Sequence, residues 1–122
     1  MSERDTPLVA VVCAVPLLGE AVTGALEGLA ECKFIPARQP ELGGLLKSLQ
    51  PDAIVVDDEQ EGAVAATYAR FARVPVIMVS LRENTVQLLE DGRWVYPEEN
   101  GASAESIRNL IAGGIYGRRS LR

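Results

Sequence analysis

The chain contains no histidine. Serine–histidine and cysteine–histidine catalysis are thereby excluded, as is every histidine metal site. Cysteine is scarce too: Cys13 and Cys32 stand alone, with no CxxC pair to suggest a zinc site or a redox couple. No GxGxxG and no GxxxxGK[ST] occurs, so the usual phosphate-cradling loops are missing. No apolar stretch of about 18 residues and no signal-peptide pattern is present, so no membrane span is expected. A cytoplasmic protein with reduced thiols is the expectation. Positive charge is the minority sign, with 12 Lys and Arg against 17 Asp and Glu, a net charge of -5 at pH 7. Nucleic-acid surfaces are normally basic, so direct nucleic-acid binding is not expected. Arg118, Arg119 and Arg122 do cluster near the end, and read as a solvated basic tail over 117–122.

What is present suits one domain. At 122 residues the chain can bury roughly two-thirds of its unfolded surface without a staple. It is 48% hydrophobic and 24% charged, an ordinary globular composition. The most informative stretch is Gln-Pro-Asp-Ala-Ile-Val-Val-Asp-Asp-Glu, from Gln50 to Glu59. Ala53 to Val56 is apolar on both faces, as a central parallel strand covered by helices must be. Asp57, Asp58 and Glu59 then stand at the carboxyl end of that strand, the edge where open α/β sheets bind ligands.

In chain order, residues 1–7 read as a loose lead-in. Leu8 to Val15 is a nearly unbroken apolar run and predicts a buried parallel strand. Pro16 suits the opening of a helix, whose buried stripe is Leu18, Val22, Leu26 and Leu29. Lys33 to Pro36 predicts an edge strand, because proline cannot donate in a central ladder. Glu41 to Leu49 has leucines at helical spacing, and Gly62 to Arg73 carries Val64, Tyr68 and Phe71 on one stripe. Val76 to Ser80 predicts a fourth buried strand. Thr85 to Glu90 predicts a short helix ended by Asp91-Gly92, and Arg93 to Tyr96 a fifth strand. A polar turn over Glu98 to Ala102 leads to Ser103, which caps a last helix with Ile107, Leu110, Ile111 and Ile115 on its buried face. Five strands alternating with five helices predict a doubly wound parallel sheet, and right-handed crossovers make it a three-layer sandwich.

Leu45-Leu46 followed by Gln50-Pro51-Asp52-Ala53-Ile54-Val55-Val56-Asp57 resembles the approach to the phospho-acceptor strand of response-regulator receiver domains. Pro75-Val76-Ile77-Met78-Val79-Ser80 resembles their fourth strand, and Pro16 to Val22 and Ala104 to Tyr116 are similar to receivers of helix-turn-helix transcription regulators. The resemblance implies a flavodoxin-like (βα)5 fold with a parallel five-stranded sheet of order 2-1-3-4-5. It places Asp57 as the candidate phospho-acceptor and Ser80 as the hydroxyl that couples to the phosphoryl group. It also implies an output face on helix 4, strand 5 and helix 5, here Val86, Leu89, Trp94, Tyr96, Ile107 and Tyr116. Core packing is the expectation for Ile107.

The chain departs from that pattern at two chemical positions. Cys13 and Ala14 stand where receivers have a metal-holding acidic pair, and Tyr96 precedes Pro97 where they have lysine. Phosphoryl transfer consists mainly of positioning and charge neutralisation by metal and cation. Mg²⁺ demands near-octahedral oxygen ligands and dehydrates reluctantly, so the remaining Asp57, Asp58 and Glu59 would hold it poorly. Asp58 and Glu59 then read as a vestigial acidic cluster or a solvated loop, Ser80 as a possible turn cap, and Arg82 as a possible substitute cation. Cys13 reads as a small buried hydrophobe. A Cys13–Cys32 disulfide is disfavoured by topology.

The expectation is therefore a stand-alone atypical receiver, a pseudo-receiver that is not an enzyme, needs no metal or cofactor, and acts by contact. Its partner is another protein or a second copy, met through the helix 4, strand 5, helix 5 face. Two alternatives stay open: a response regulator phosphorylated at Asp57 through a non-standard metal site, and a flavodoxin-like module binding a nucleotide or other small molecule. No helix-turn-helix segment follows within the chain.

Overall fold

The computed structural model describes residues 6–97 and 101–120, with side chains described to 115. The lead-in over 1–5, the turn over 98–100, and Arg122 lie outside them, as do the side chains of Tyr116, Arg118 and Arg119. Two apolar runs make the centre of the sheet. In β1 (Leu8–Cys13) and β3 (Ala53–Val56), pairing is parallel with Val9 opposite Ala53 and Val12 opposite Val56. Side chains alternate in a strand, so each run feeds two cores. Val9, Val11 and Val55 pack under α1 (Pro16–Ala25) and the last helix, while Ala10, Val12 and Ile54 pack under α2 (Leu42–Leu49) and α3 (Glu59–Ala72). The architecture is α/β, with helices on both faces of one sheet.

Local chemistry sets the helix ends. Pro16 opens α1, and no side chain caps it. The stripe predicted to run to Leu29 leaves the helix at Ala25; Leu26 and Leu29 still pack on the core, and Gly28 turns the chain at φ 82°. β2 (Glu31–Pro36) pairs with β1 alone, which leaves Pro36 on an edge as predicted. α3 starts at Glu59, ahead of Gly62, because Asp58 caps it by accepting from the Glu61 backbone N–H at 2.8 Å. Phe71, predicted on the buried stripe of α3, is 83% exposed; Ala65 takes the buried position instead, with Val64, Tyr68 and Ala69 packed beside it.

The prediction fails between β4 (Val76–Ser80) and the last helix. Thr85–Glu90 is not a helix but a strand, β5, antiparallel to β4 with Val79 opposite Val86. Asp91 and Gly92, both at positive φ of 52° and 80°, close a hairpin to β6 (Arg93–Val95). Asp-Gly between short strands is a strong signal for a type I′ turn, which requires positive φ at both central residues. Read as a helix stop, it misassigned six residues whose alternation places Val86 and Leu88 on one face and Leu89 with Trp94 on the other. A six-residue segment is too short for periodicity to separate helix from strand.

The sheet is consequently six-stranded and mixed, in the order β2-β1-β3-β4-β5-β6. The five-stranded, all-parallel arrangement is corrected in two respects. The fifth strand is Thr85–Glu90 rather than Arg93–Tyr96, and both final strands run antiparallel to their neighbours. Among the described residues there are four helices, not five. The last, α4 (Ala104–Ser120), starts where Ser103 Oγ accepts from the Ser106 backbone N–H at 3.1 Å, and buries Ile107, Ile111 and Ile115. Arg108 ties it to α1 by donating to the carbonyls of Ala25 and Glu27 at 3.1 and 2.8 Å, satisfying acceptors that a helix end leaves open. No helix of the described residues is long and apolar enough to cross a membrane.

Candidate functional site

Asp57 follows β3 directly, so the parallel strands deliver it to the carboxyl edge of the sheet. Its Oδ2 accepts a hydrogen bond from the Ala14 backbone N–H at 2.9 Å, across the gap between the ends of β1 and β3. Its Oδ1 is buried and has no hydrogen-bond partner among the described residues. The end of β1 presents Cys13, buried on the α1 side. Burial, then the charge of Asp57, pushes the Cys13 thiol up to about 11, against backbone hydrogen bonds from Gly19 and Val15. The thiolate is the reactive and metal-binding form, so this thiol is inert at neutral pH. Cys13 lies opposite Pro36 and Cys32 opposite Val9, at separate ends of the β1–β2 pair, and both thiols are free.

Asp57, Ser80 and Arg82 share one cleft of about 470 Å³ between the ends of β3 and β4. Val15, Leu81 and Met78 supply its apolar walls. Ser80 ends β4, and its Oγ accepts from the Glu83 backbone N–H at 3.1 Å, capping the turn that leads to β5. Arg82 is exposed on the wall and forms no ion pair with another described residue.

The cation at the acidic cluster is a different residue. Arg38, just past β2, donates from Nη1 to Asp58 Oδ2 at 2.8 Å and to Glu61 Oε1 at 3.1 Å. Its backbone N–H also reaches Glu61 Oε2 at 3.3 Å, from a left-handed conformation with φ 69°. Glu61 is the buried charged residue of the described chain. Burial, then its contact with Asp58, pushes the Glu61 carboxyl above its ordinary range. Burial acts on Asp58 in the same sense, but the Glu61 backbone N–H and Arg38 outweigh it and hold Asp58 below its ordinary range. Glu59 is exposed in the first turn of α3.

Sequence reasoning missed Arg38 and Glu61. Asp58 and Glu61 form a D-x-x-E pattern, the spacing of a capping box, and that signal was readable. Arg38 gave none, since only the fold sets the exit of β2 beside α3.

The residues predicted to form an output face divide. Val86 is buried in the core and Leu89 is half-buried. Trp94 packs over α3 at Gly62, where an added Cβ would lie 3.2 Å from its Cζ2. Tyr96 is 57% exposed just past β6. No protein-family model matches the chain, and no curated protein does either.

Proposed function

We propose that the chain is a receiver-type interaction module, a pseudo-receiver that regulates a protein partner by binding rather than by phosphoryl transfer. The observation that carries this reading is the hydrogen bond from Ala14 N–H to Asp57 Oδ2. Where a phosphorylating receiver presents carboxylates for Mg²⁺, the end of β1 offers a backbone donor and a protonated thiol. Neither is a ligand for a hard cation. Asp58, the next residue in the chain, is committed to capping α3 and to Arg38. The partner meets the β5–β6 side, where Tyr96 offers an aromatic anchor of the kind that dominates interface energetics.

A second reading, a phosphorylatable Asp57 with a non-standard metal site, is favoured by one observation. Asp57 Oδ1 is a buried oxygen without a partner among the described residues, and such an atom is costly unless something occupies it. Intact mass after treatment with acetyl phosphate and Mg²⁺ separates the two. The module reading expects no phosphate adduct on the wild type. An adduct that vanishes in Asp57→Asn overturns it and establishes the second reading.

A further inference from the structure

The β2 edge is the longer free edge of the sheet, six residues against the three of β6. Its outward-facing groups follow from its bonds to β1. The Glu31 backbone N–H donates inward to the Pro7 carbonyl at 2.8 Å, and the Ala37 N–H donates inward to the Cys13 carbonyl at 3.2 Å. Backbone groups alternate along a strand, so Lys33 and Ile35 also turn toward β1, whereas Cys32 and Phe34 turn their N–H and C=O groups away from the sheet. Among the described residues no further strand pairs with this edge, and Glu31, Lys33 and Phe34 are all exposed, Phe34 at 44%. Such an edge is a template for another strand unless charge or proline blunts it. Pro36 blunts only the far end, and the charges here are of both signs.

We propose that β2 pairs antiparallel with β2 of a second copy of this chain, joining two sheets about a two-fold axis at Cys32. Backbone parity and charge together select this register. Only outward-turned residues can exchange hydrogen bonds, so Cys32 or Phe34 can face its own copy as a bonded pair, or Lys33 as a non-bonded one. A Lys33 centre sets like charges directly opposite, which is destabilising. A Phe34 centre leaves Lys33 opposite Ile35, and Glu31 without an opposite charge. With Cys32 at the centre, Glu31 of each copy stands opposite Lys33 of the other, in non-bonded pairs whose Cα atoms approach to about 4.5 Å. This surface lies at the opposite end of the sheet from Tyr96, so dimerisation is independent of the partner reading above.

The test is a charge swap followed by sedimentation. The wild type is expected to sediment at twice the 13.1 kDa of one chain at about 0.1 mM, a concentration that populates weak pairs. Lys33→Glu alone places Glu31 opposite a glutamate, and Glu31→Lys alone places lysine opposite lysine. Each should weaken the dimer by about tenfold or more. Both side chains are exposed, so the fold tolerates the changes. Mixing the two single variants restores complementary pairs, and the mixture should sediment as a heterodimer. A wild type that stays monomeric at that concentration overturns the proposal. So does a dimer that ignores the single changes, or a mixture that fails to associate.

Discussion

Arg38 Nη1 lies 3.1 Å from Glu61 Oε1 and 2.8 Å from Asp58 Oδ2, so one guanidinium joins the exit of β2 to the first turn of α3. The arginine is mostly solvent-exposed and the glutamate almost wholly buried. An exposed ion pair is worth little. What matters here is the buried carboxylate, which is costly to leave uncompensated.

Glu61 therefore gives a pH signature. Its folded carboxyl is raised above its ordinary value of 4.5, chiefly by burial. Between 4.5 and that raised value, the native state keeps a proton that the unfolded chain has released. Stability from this group is therefore lost as pH rises through the window. Glu61→Gln removes the term, so the variant should gain stability relative to wild type as pH rises above 4.5. Urea melts across that range read it; a difference flat with pH would contradict the account.

Asp58 has the opposite sign. Its folded carboxyl lies below its ordinary value of 3.8, so its contribution is present above 3.8 and lost as pH falls through the depressed value. Asp58→Ala removes the cap on α3 and should cost about 1 kcal/mol at neutral pH. The cost should shrink in acid. Chemical denaturation at both pH values checks magnitude and direction.

Two glycines should respond in opposite ways. Gly92 sits in the β5–β6 turn at φ 80°, so Gly92→Val forces a branched side chain into the left-handed region, at about 1–2 kcal/mol. Gly113 lies inside α4 with no atom within 4 Å of an added Cβ. Gly113→Ala should therefore stabilise by about 0.5–1 kcal/mol through helix propensity. Equal effects in urea melts would count against the assigned elements.

Mg²⁺ should bind at Asp57 no more tightly than about millimolar, since one carboxylate oxygen is taken by Ala14 N–H and octahedral oxygen ligation needs several more. Titration followed by Trp94 fluorescence measures this. Saturation at micromolar Mg²⁺, abolished by Asp57→Asn, is the result that would refute it.

The central strands were legible in the sequence because burial on both faces leaves an apolar run: Leu8–Val15, of which the strand takes Leu8–Cys13 while Val15 takes the N-cap position of α1, then Ala53–Val56 and Val76–Ser80. Pro36 placed β2 on an edge for an equally local reason, its missing N–H. Asp57 at the end of β3 followed from the same run. The identity of Thr85–Glu90 did not, because six residues carry too little periodicity and Asp-Gly serves both helix ends and hairpins. Tertiary pairing with β4 decided it, giving Val86 a buried place beside Val79. The acidic cluster divides in the same way. Asp58 caps α3 and Glu61 lies three residues on in its first turn, so their mutual contact was local. Arg38 is 23 residues from Glu61 in sequence, and only the packing of the β2 exit against α3 brings its charge to the buried carboxylate.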